Sequence, residues 1–157
     1  MKFSLSREAL LKPLQLVIGV VERRQTLPIL SNVLFSLSDK NLSITGTDLE
    51  VEIVGLTAVS TSEEEGSVTI SARKTLDICR SLPEGATLKF SSSEGKASIQ
   101  SGKSKFMLST LPANEFPTVD EGEKSLEFSV SGKDLQKLIE STSFAMAQQD
   151  VRYYLNG

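Results

Sequence analysis

The sequence predicts an α+β fold, two helices packed on one face of antiparallel sheet of about eight strands, and three observations predict it. Short runs in which apolar and polar residues alternate, split by turn residues, fill much of the chain; two longer stretches carry apolar residues at three- and four-residue intervals; and a unit of strand, serine and helix recurs at a fixed offset.

The first strand lies in KFSLS, where Phe3 and Leu5 alternate with polar residues. Ser6 then stands where a hydroxyl accepts from the free amides of a helix start, and a helix over about residues 7–20 would bury Leu10, Leu14, Val17 and Val21, with Pro13 bending it or loosening a turn. The runs NVLFSLSDK, LSITGTD and LEVEIVGL read as antiparallel hairpin strands. In SVTISARKTLDICRSL, Val68 and Ile70 make a strand, Ser71 a cap, and about residues 72–82 a helix burying Leu76 and Cys79, with Ile78 at its margin. That helix ends at Leu82-Pro83-Glu84-Gly85. ATLKFSSSE, KASIQSG and SKFMLST supply further strands, and LPANEFPTVDEGEKS, which has neither period, reads as a connector.

Residues 127–139, EFSVSGKDLQKLI, repeat residues 2–14, KFSLSREALLKPL, at an offset of 125: Phe128 answers Phe3, Ser131 answers Ser6, and Leu135 answers Leu10. A third helix over about residues 133–147 would bury Leu135, Leu138 and Ile139, with Met146 at its margin. The expected organisation is a first domain over 1–125 and the beginning of a second over 126–157, with the chain stopping inside a repeated unit. An accidental echo in a free-standing interaction module is the rival reading.

Composition narrows the functions. A 39% hydrophobic, 24% charged chain with no apolar run near ~20 residues has the balance of a globular domain, not of a membrane span. The first residues carry no cleavage signal and are read as mature, cytoplasmic structure. The absence of histidine excludes serine triads and histidine zinc sites, and lone Cys79 is expected to be a buried spectator, so no cofactor and no metal are expected. With a net charge of −3, binding to nucleic acid would require the cations to gather on one face.

Several constellations of charged and aromatic residues stand out. Asp48, Glu50 and Glu52 would share one strand face, a conceivable hard-cation or hydrolytic site whose plainer reading is a solvated sheet, and Glu63-Glu64-Glu65 reads as an exposed acidic loop. Arg7, Lys12, Arg23, Arg24, Arg73, Lys74 and Arg80 cluster at or beside the two helices, as a generic surface or as a thin basic lining that attracts phosphates. Lys96, Lys103 and Lys105 flank Phe106 and Leu108, which suits an edge that meets another chain or one guarded against aggregation. Arg152-Tyr153-Tyr154 sets a cation beside two aromatics, for packing or for stacking on bases.

The phrases Thr26-Leu-Pro-Ile-Leu30, Thr45-Gly-Thr-Asp-Leu-Glu50, Ala72-Arg-Lys74, Leu82-Pro-Glu-Gly85, Ser109-Thr-Leu-Pro-Ala113 with Phe116-Pro117, and Asp150-Val-Arg-Tyr-Tyr-Leu-Asn-Gly157, taken in order, resemble the bacterial sliding clamps, the β subunits of replicative DNA polymerase. The resemblance covers the family's first domain and the start of its second. It implies a DNA-clamp fold and a non-catalytic processivity factor, a ring of two subunits with helices lining a hole for duplex DNA. It further implies that Arg24, Arg73, Gln149, Tyr153 and Tyr154 touch DNA. Lys74, Ile78, Lys96, Lys103, Lys105, Phe106 and Leu108 would meet the other subunit, and Arg152 and Leu155 would belong to a cleft for short peptides of polymerase and clamp loader. Two departures stand out: Glu22 and Arg23 precede Arg24 where relatives have a glycine pair, and Gln148 replaces a histidine.

Overall fold

The computed structural model describes residues 1–21, 27–118, 126–148 and 150–156, and divides the chain into two compact units, Met1–Asp120 and Glu121–Gly157. In the first unit β1 (Lys2–Ser6) leads into α1 (Arg7–Val17) and one 3-10 turn (Ile18–Val20). After a second 3-10 turn (Pro28–Ser31) come β2 (Asn32–Ser38), β3 (Asn41–Thr47), β4 (Glu52–Ala58), β5 (Thr61–Glu64) and β6 (Gly66–Ser71). Then follow α2 (Ala72–Ser81), β7 (Thr87–Ser93), β8 (Lys96–Ser101) and β9 (Ser104–Leu111).

The strands form one antiparallel sheet in the order β4-β3-β2-β6-β9-β8-β7-β1-β5. Sequence reading expected about eight strands; β5 is the ninth, and it runs through Glu63 and Glu64, where an acidic loop was expected. Its pairing with β1, Ser4 opposite Thr61, recruits a polar segment through backbone hydrogen bonds that hydropathy does not register. Two-residue turns join β2 to β3 and β7 to β8. Asp39-Lys40 and Glu94-Gly95 all have positive φ in them, the conformation that matches strand twist in tight hairpins.

The core takes its residues from alternate strand positions and from the helix stripes: Phe3, Leu5, Val33, Phe35, Leu42, Ile44, Ile70, Leu88 and Ile99 from strands, with Leu10, Leu14, Val17, Leu76 and Cys79 from helices. Phe3 stacks on Phe90 at 4.8 Å between ring centroids, and Phe35 packs against Phe90 at 5.6 Å. Pro13, expected to disturb α1, is buried inside an unbroken helix. Its ring lies over Gly55 of β4, where a β-carbon would sit 2.6 Å from Pro13 Cβ, and Gly46 of β3 similarly makes room for Val17. Two glycines on neighbouring strands thus cut the groove in which α1 rests.

Other local expectations need correction. Ser6 caps α1 by accepting from Ala9 N at 3.2 Å, but Ser71 makes no side-chain cap; Thr75 Oγ1 donates instead to the Ser71 carbonyl at 2.7 Å. Asp48 and Glu50 lie before β4, not on it. The Asp48 carboxylate accepts from Val51 N at 2.7 Å and Glu50 N at 3.0 Å, a turn that carries Leu49 at φ 80°. The three acids therefore do not share a strand face. In the expected connector, a 3-10 turn (Ala113–Glu115) delivers Phe116 into a buried position.

In the second unit α3 (Gly132–Thr142) is followed by 3-10 turns at Ser143–Ala145 and Tyr153–Leu155. Ser131 caps α3 by accepting from Asp134 N at 3.1 Å. Helix and 3-10 turns start at Gly132, Ser143 and Tyr153 as they do at Arg7, Ile18 and Pro28, so the offset of 125 extends through three consecutive elements. Two expectations fail here. The stretch 127–130 forms no strand, and Leu135, Leu138, Ile139 and Met146 are exposed, Leu138 at 62%. A strand needs a ladder partner and an apolar stripe needs a sheet to cover it, and the described residues of this unit contain neither.

Candidate functional site

The two helices of the first unit are clasped to each other at both ends. Arg7, the first residue of α1, donates from Nε to the Cys79 carbonyl in the last turn of α2 at 2.8 Å. Arg73, in the first turn of α2, donates from Nη2 to the Val21 carbonyl just beyond the 3-10 turn that extends α1, at 3.0 Å. The Glu8 carboxylate completes the first clasp, accepting from Gly85 N at 3.0 Å and pairing with Arg7 at 3.1 Å. The Gly85 amide, with Glu8's own amide and Arg7 assisting, holds the Glu8 carboxyl below the usual carboxylate range.

These contacts sort the basic cluster that the sequence displays. Arg7 is committed to joining helices, and Arg73 is half-buried with its Nε shielded and unpartnered among the described residues. Lys12, Lys74 and Arg80 are exposed on the two helices. Arg24 and Gln149 lie outside the described residues, and Tyr153 is described only as backbone, in the 3-10 turn that also carries the exposed Tyr154.

The second surface is the free side of β9. From Ser104 to Ser109 this strand pairs with β8, but on its other side only Thr110 and Leu111 meet β6. A stretch of its backbone is therefore an open edge among the described residues. Phe106 sits opposite Ile99 and Leu108 opposite Ala97, half-buried against the core cluster that includes Ile78. Lys105 opposite Gln100 and Lys96 opposite Ser109 belong to the other face, beside the exposed Met107, and Lys103 is in the turn that enters the strand. Lys96 and Lys105 thus lie on the sheet face opposite Phe106 and Leu108. Ile78 is 8% exposed, so in this chain it is chiefly a core residue, and Lys74 is the exposed member of that helix pair.

In the second unit Thr142, Ala145, Met146, Tyr154 and Leu155 line a depression of about 270 Å³. Arg152 stands beside it in sequence but is engaged by Asp150, with Nε and Nη2 each 3.0 Å from a carboxylate oxygen. That pair, the side-chain contact first, holds the Asp150 carboxyl below its ordinary range and raises Arg152. Asn156 closes the loop, accepting from Asp150 N and donating to the Asp150 carbonyl, both at 3.1 Å.

Cys79 is fully buried, and burial pushes its thiol up to about 11, far from a nucleophile's range. Among the described residues no three acids, histidines or cysteines are grouped to hold a metal ion, and no helix is long and apolar enough to cross a membrane. Sequence reasoning missed the two arginine clasps, because a charge on a helix does not reveal whether a carbonyl of another element lies within its reach.

Residues 1–120 match the family model of the DNA polymerase III beta subunit, N-terminal domain. The whole chain is 59% identical to the beta sliding clamp of Pseudomonas aeruginosa and 50% identical to that of Escherichia coli, spanning 43% of the length of each. A crystal structure of the Pseudomonas aeruginosa sliding clamp bound to griselimycin superposes with a TM-score of 0.95 at 59% identity. The beta subunit from Caulobacter crescentus does so at 0.94 and 41%. Both superpositions cover all of this chain and 42% of the solved one. With the sheet order, the clasped helices and the 125-residue iteration in place, these matches show that the chain belongs to the DNA polymerase III beta-subunit family, the bacterial sliding clamps.

Proposed function

We propose that this chain contributes the first domain, over about 1–125, and the opening of the second to a ring that encircles duplex DNA and tethers a replicative polymerase in the cytoplasm. The ring performs no chemistry of its own and needs no cofactor. The observation that carries the reading is the iteration: an element series that returns after 125 residues with the same cap and the same 3-10 turns is how a ring of similar domains is written in one chain.

In this reading the exposed helix faces look into the hole, and Arg24, Arg73, Gln149, Tyr153 and Tyr154 serve DNA holding. Few, sequence-blind phosphate contacts leave no deep energy wells along the duplex, which permits sliding. The open edge of β9 supports the proposed joint with a second copy. A strand added there would extend the sheet, Phe106 and Leu108 would lose their remaining solvent, and Lys96, Lys103 and Lys105 would meet carboxylates, with Lys74 and Ile78 alongside. Arg152 and Leu155 would border the cleft for short peptides of polymerase and clamp loader, for which the depression beside Met146 provides an apolar floor.

The test loads a protein of the relatives' full length, carrying this sequence, onto closed circular and linear duplex. Retention on the circle with escape from the linear form is the expected result. Equal retention on both sinks encirclement.

A further inference from the structure

We infer that the two open edges of the first unit are complementary halves of one head-to-tail joint, in which the β9 edge of one copy of this 157-residue chain receives the β4 edge of a second copy. The inference rests on the joint proposed above and deepens it by naming the surface that β9 takes.

Its first ground is topology. One series of elements occurs twice in the unit, as β1-α1-β2-β3-β4 and as β6-α2-β7-β8-β9. Pairing follows the same plan in both: β1 lies beside β7 as β6 lies beside β2, and β2 turns into β3 as β7 turns into β8, through two residues of positive φ each time. β4 therefore holds in the first series the place that β9 holds in the second. It pairs with β3 along one side, and its other side is open among the described residues.

The second ground is charge. Residues 95–111, which contain β8 and β9, hold Lys96, Lys103 and Lys105 and no acid, while residues 41–61, which contain β3 and β4, hold Asp48, Glu50 and Glu52 and no base. Two β9 edges side by side would set lysines against lysines, and two β4 edges acids against acids. The mixed pair alone brings opposite charges together. Antiparallel pairing also sends the end of β4 that follows Asp48 and Glu50 to the end of β9 where Lys96 stands opposite Ser109.

Apolar surface is the third ground. Val54 and Leu56, 50% and 73% exposed, lie on the sheet face turned away from Gly55 and α1, and no lysine or proline guards that strand. Met107, also exposed, lies on the outer face of β9, and Ile53 and Phe106 are both half-buried on the inner face. A sheet continued across the joint thus matches apolar to apolar on both faces. Each copy carries one edge of each kind, so the contact is heterologous and repeats from copy to copy into a ring or an open filament.

The experiment is sedimentation velocity of the 157-residue chain over a range of protein and salt concentrations, with Leu56→Lys and Lys105→Glu studied alone and mixed, one of the two fluorescently labelled. Both side chains are exposed, so each variant should keep the parent's far-UV spectrum and urea midpoint; Val54→Lys and Lys103→Glu replace a variant that melts early. The parent should associate reversibly, and less as salt rises. Each variant alone should associate about tenfold or more weakly. Their mixture should associate again, because one supplies an intact β9 edge and the other an intact β4 edge. A parent that stays monomeric up to about 1 mM, where even a weak joint fills, overturns the inference. So does association kept by Leu56→Lys alone, which marks β9 meeting β9, or by Lys105→Glu alone, which marks β4 meeting β4. Association kept by both marks another surface, such as the exposed stripe of α3, and overturns it too, as does a mixture that stays apart. Encirclement is judged separately, on circular and linear duplex with the full-length protein, and survives any of these failures.

Discussion

Gly55 shows how one missing methyl group shapes an interface. The Pro13 ring occupies the space a side chain would take, and the contact replaces the disturbance expected of a proline inside a helix. Gly55→Ala should therefore lower stability by about 1–3 kcal/mol, read as a shifted urea midpoint with little change in the far-UV spectrum; an unshifted midpoint would mean that α1 rides higher on the sheet than described. Cys79, with its raised thiol, should resist alkylation near neutral pH until urea unfolds the chain, and rapid native labelling would contradict its burial. Asp48 offers a pH test. The Val51 amide, and then that of Glu50, hold its carboxyl below the ordinary value of about 3.9. A depressed folded value means stability that is present above the unfolded value and lost as pH falls through the folded one. Asp48→Asn, whose amide oxygen accepts the same bonds without the charge, should be less stable than the parent at neutral pH, decline less below about pH 4 and converge with it in acid; an identical acid profile in both proteins would count against the turn.

Serine before a helix carries different weight at its three occurrences. Ser6 and Ser131 accept from the amide three residues on, while the Ser71 hydroxyl makes no such bond and the Ser71 carbonyl is instead used by Thr75. Ser6→Ala should cost about 1 kcal/mol and Ser71→Ala markedly less, by chemical denaturation; equal losses would refute the distinction. The helix was legible at all three places from spacing, and the strand at two of them; the alternating stretch 127–130 before Ser131 forms none. Whether the hydroxyl turns inward depends on the local backbone, and Ser71 leaves β6 with a ψ of 115° where Ser6 has 153° and Ser131 has 140°. The same limit applies to β5 and to Asp48. A strand recruited by its neighbour's free edge, and an aspartate turned onto local amides, leave no periodic trace.

Across the chain as a whole, stability is unevenly distributed. The first unit buries its helix stripes under a nine-stranded sheet, each core side chain there contributing on the order of 1.5–3 kcal/mol. In the second unit the 11-residue α3 leaves Leu135, Leu138 and Ile139 exposed, at a length where an isolated helix is marginal. In this 157-residue chain, amide exchange in α3 should run at least about a hundredfold faster than in α1 or β2. Comparable protection would show that something covers the apolar stripe.

Periodicity, turn residues and the 125-residue echo settled the α+β class, all three helices, most of the strands and the iteration, because each depends on side-chain spacing along one stretch of chain. The candidate site was legible as residue types in order: an edge of lysines around Phe106 and Leu108, and arginines at helix starts. Folding in three dimensions decided what those residues do. It put Lys96 and Lys105 on the sheet face opposite Phe106 and Leu108, drew Ile78 into the core, and spent Arg7 and Arg73 on carbonyls of facing elements. A charge's partner is chosen by distance through space, and spacing along the chain carries no measure of that.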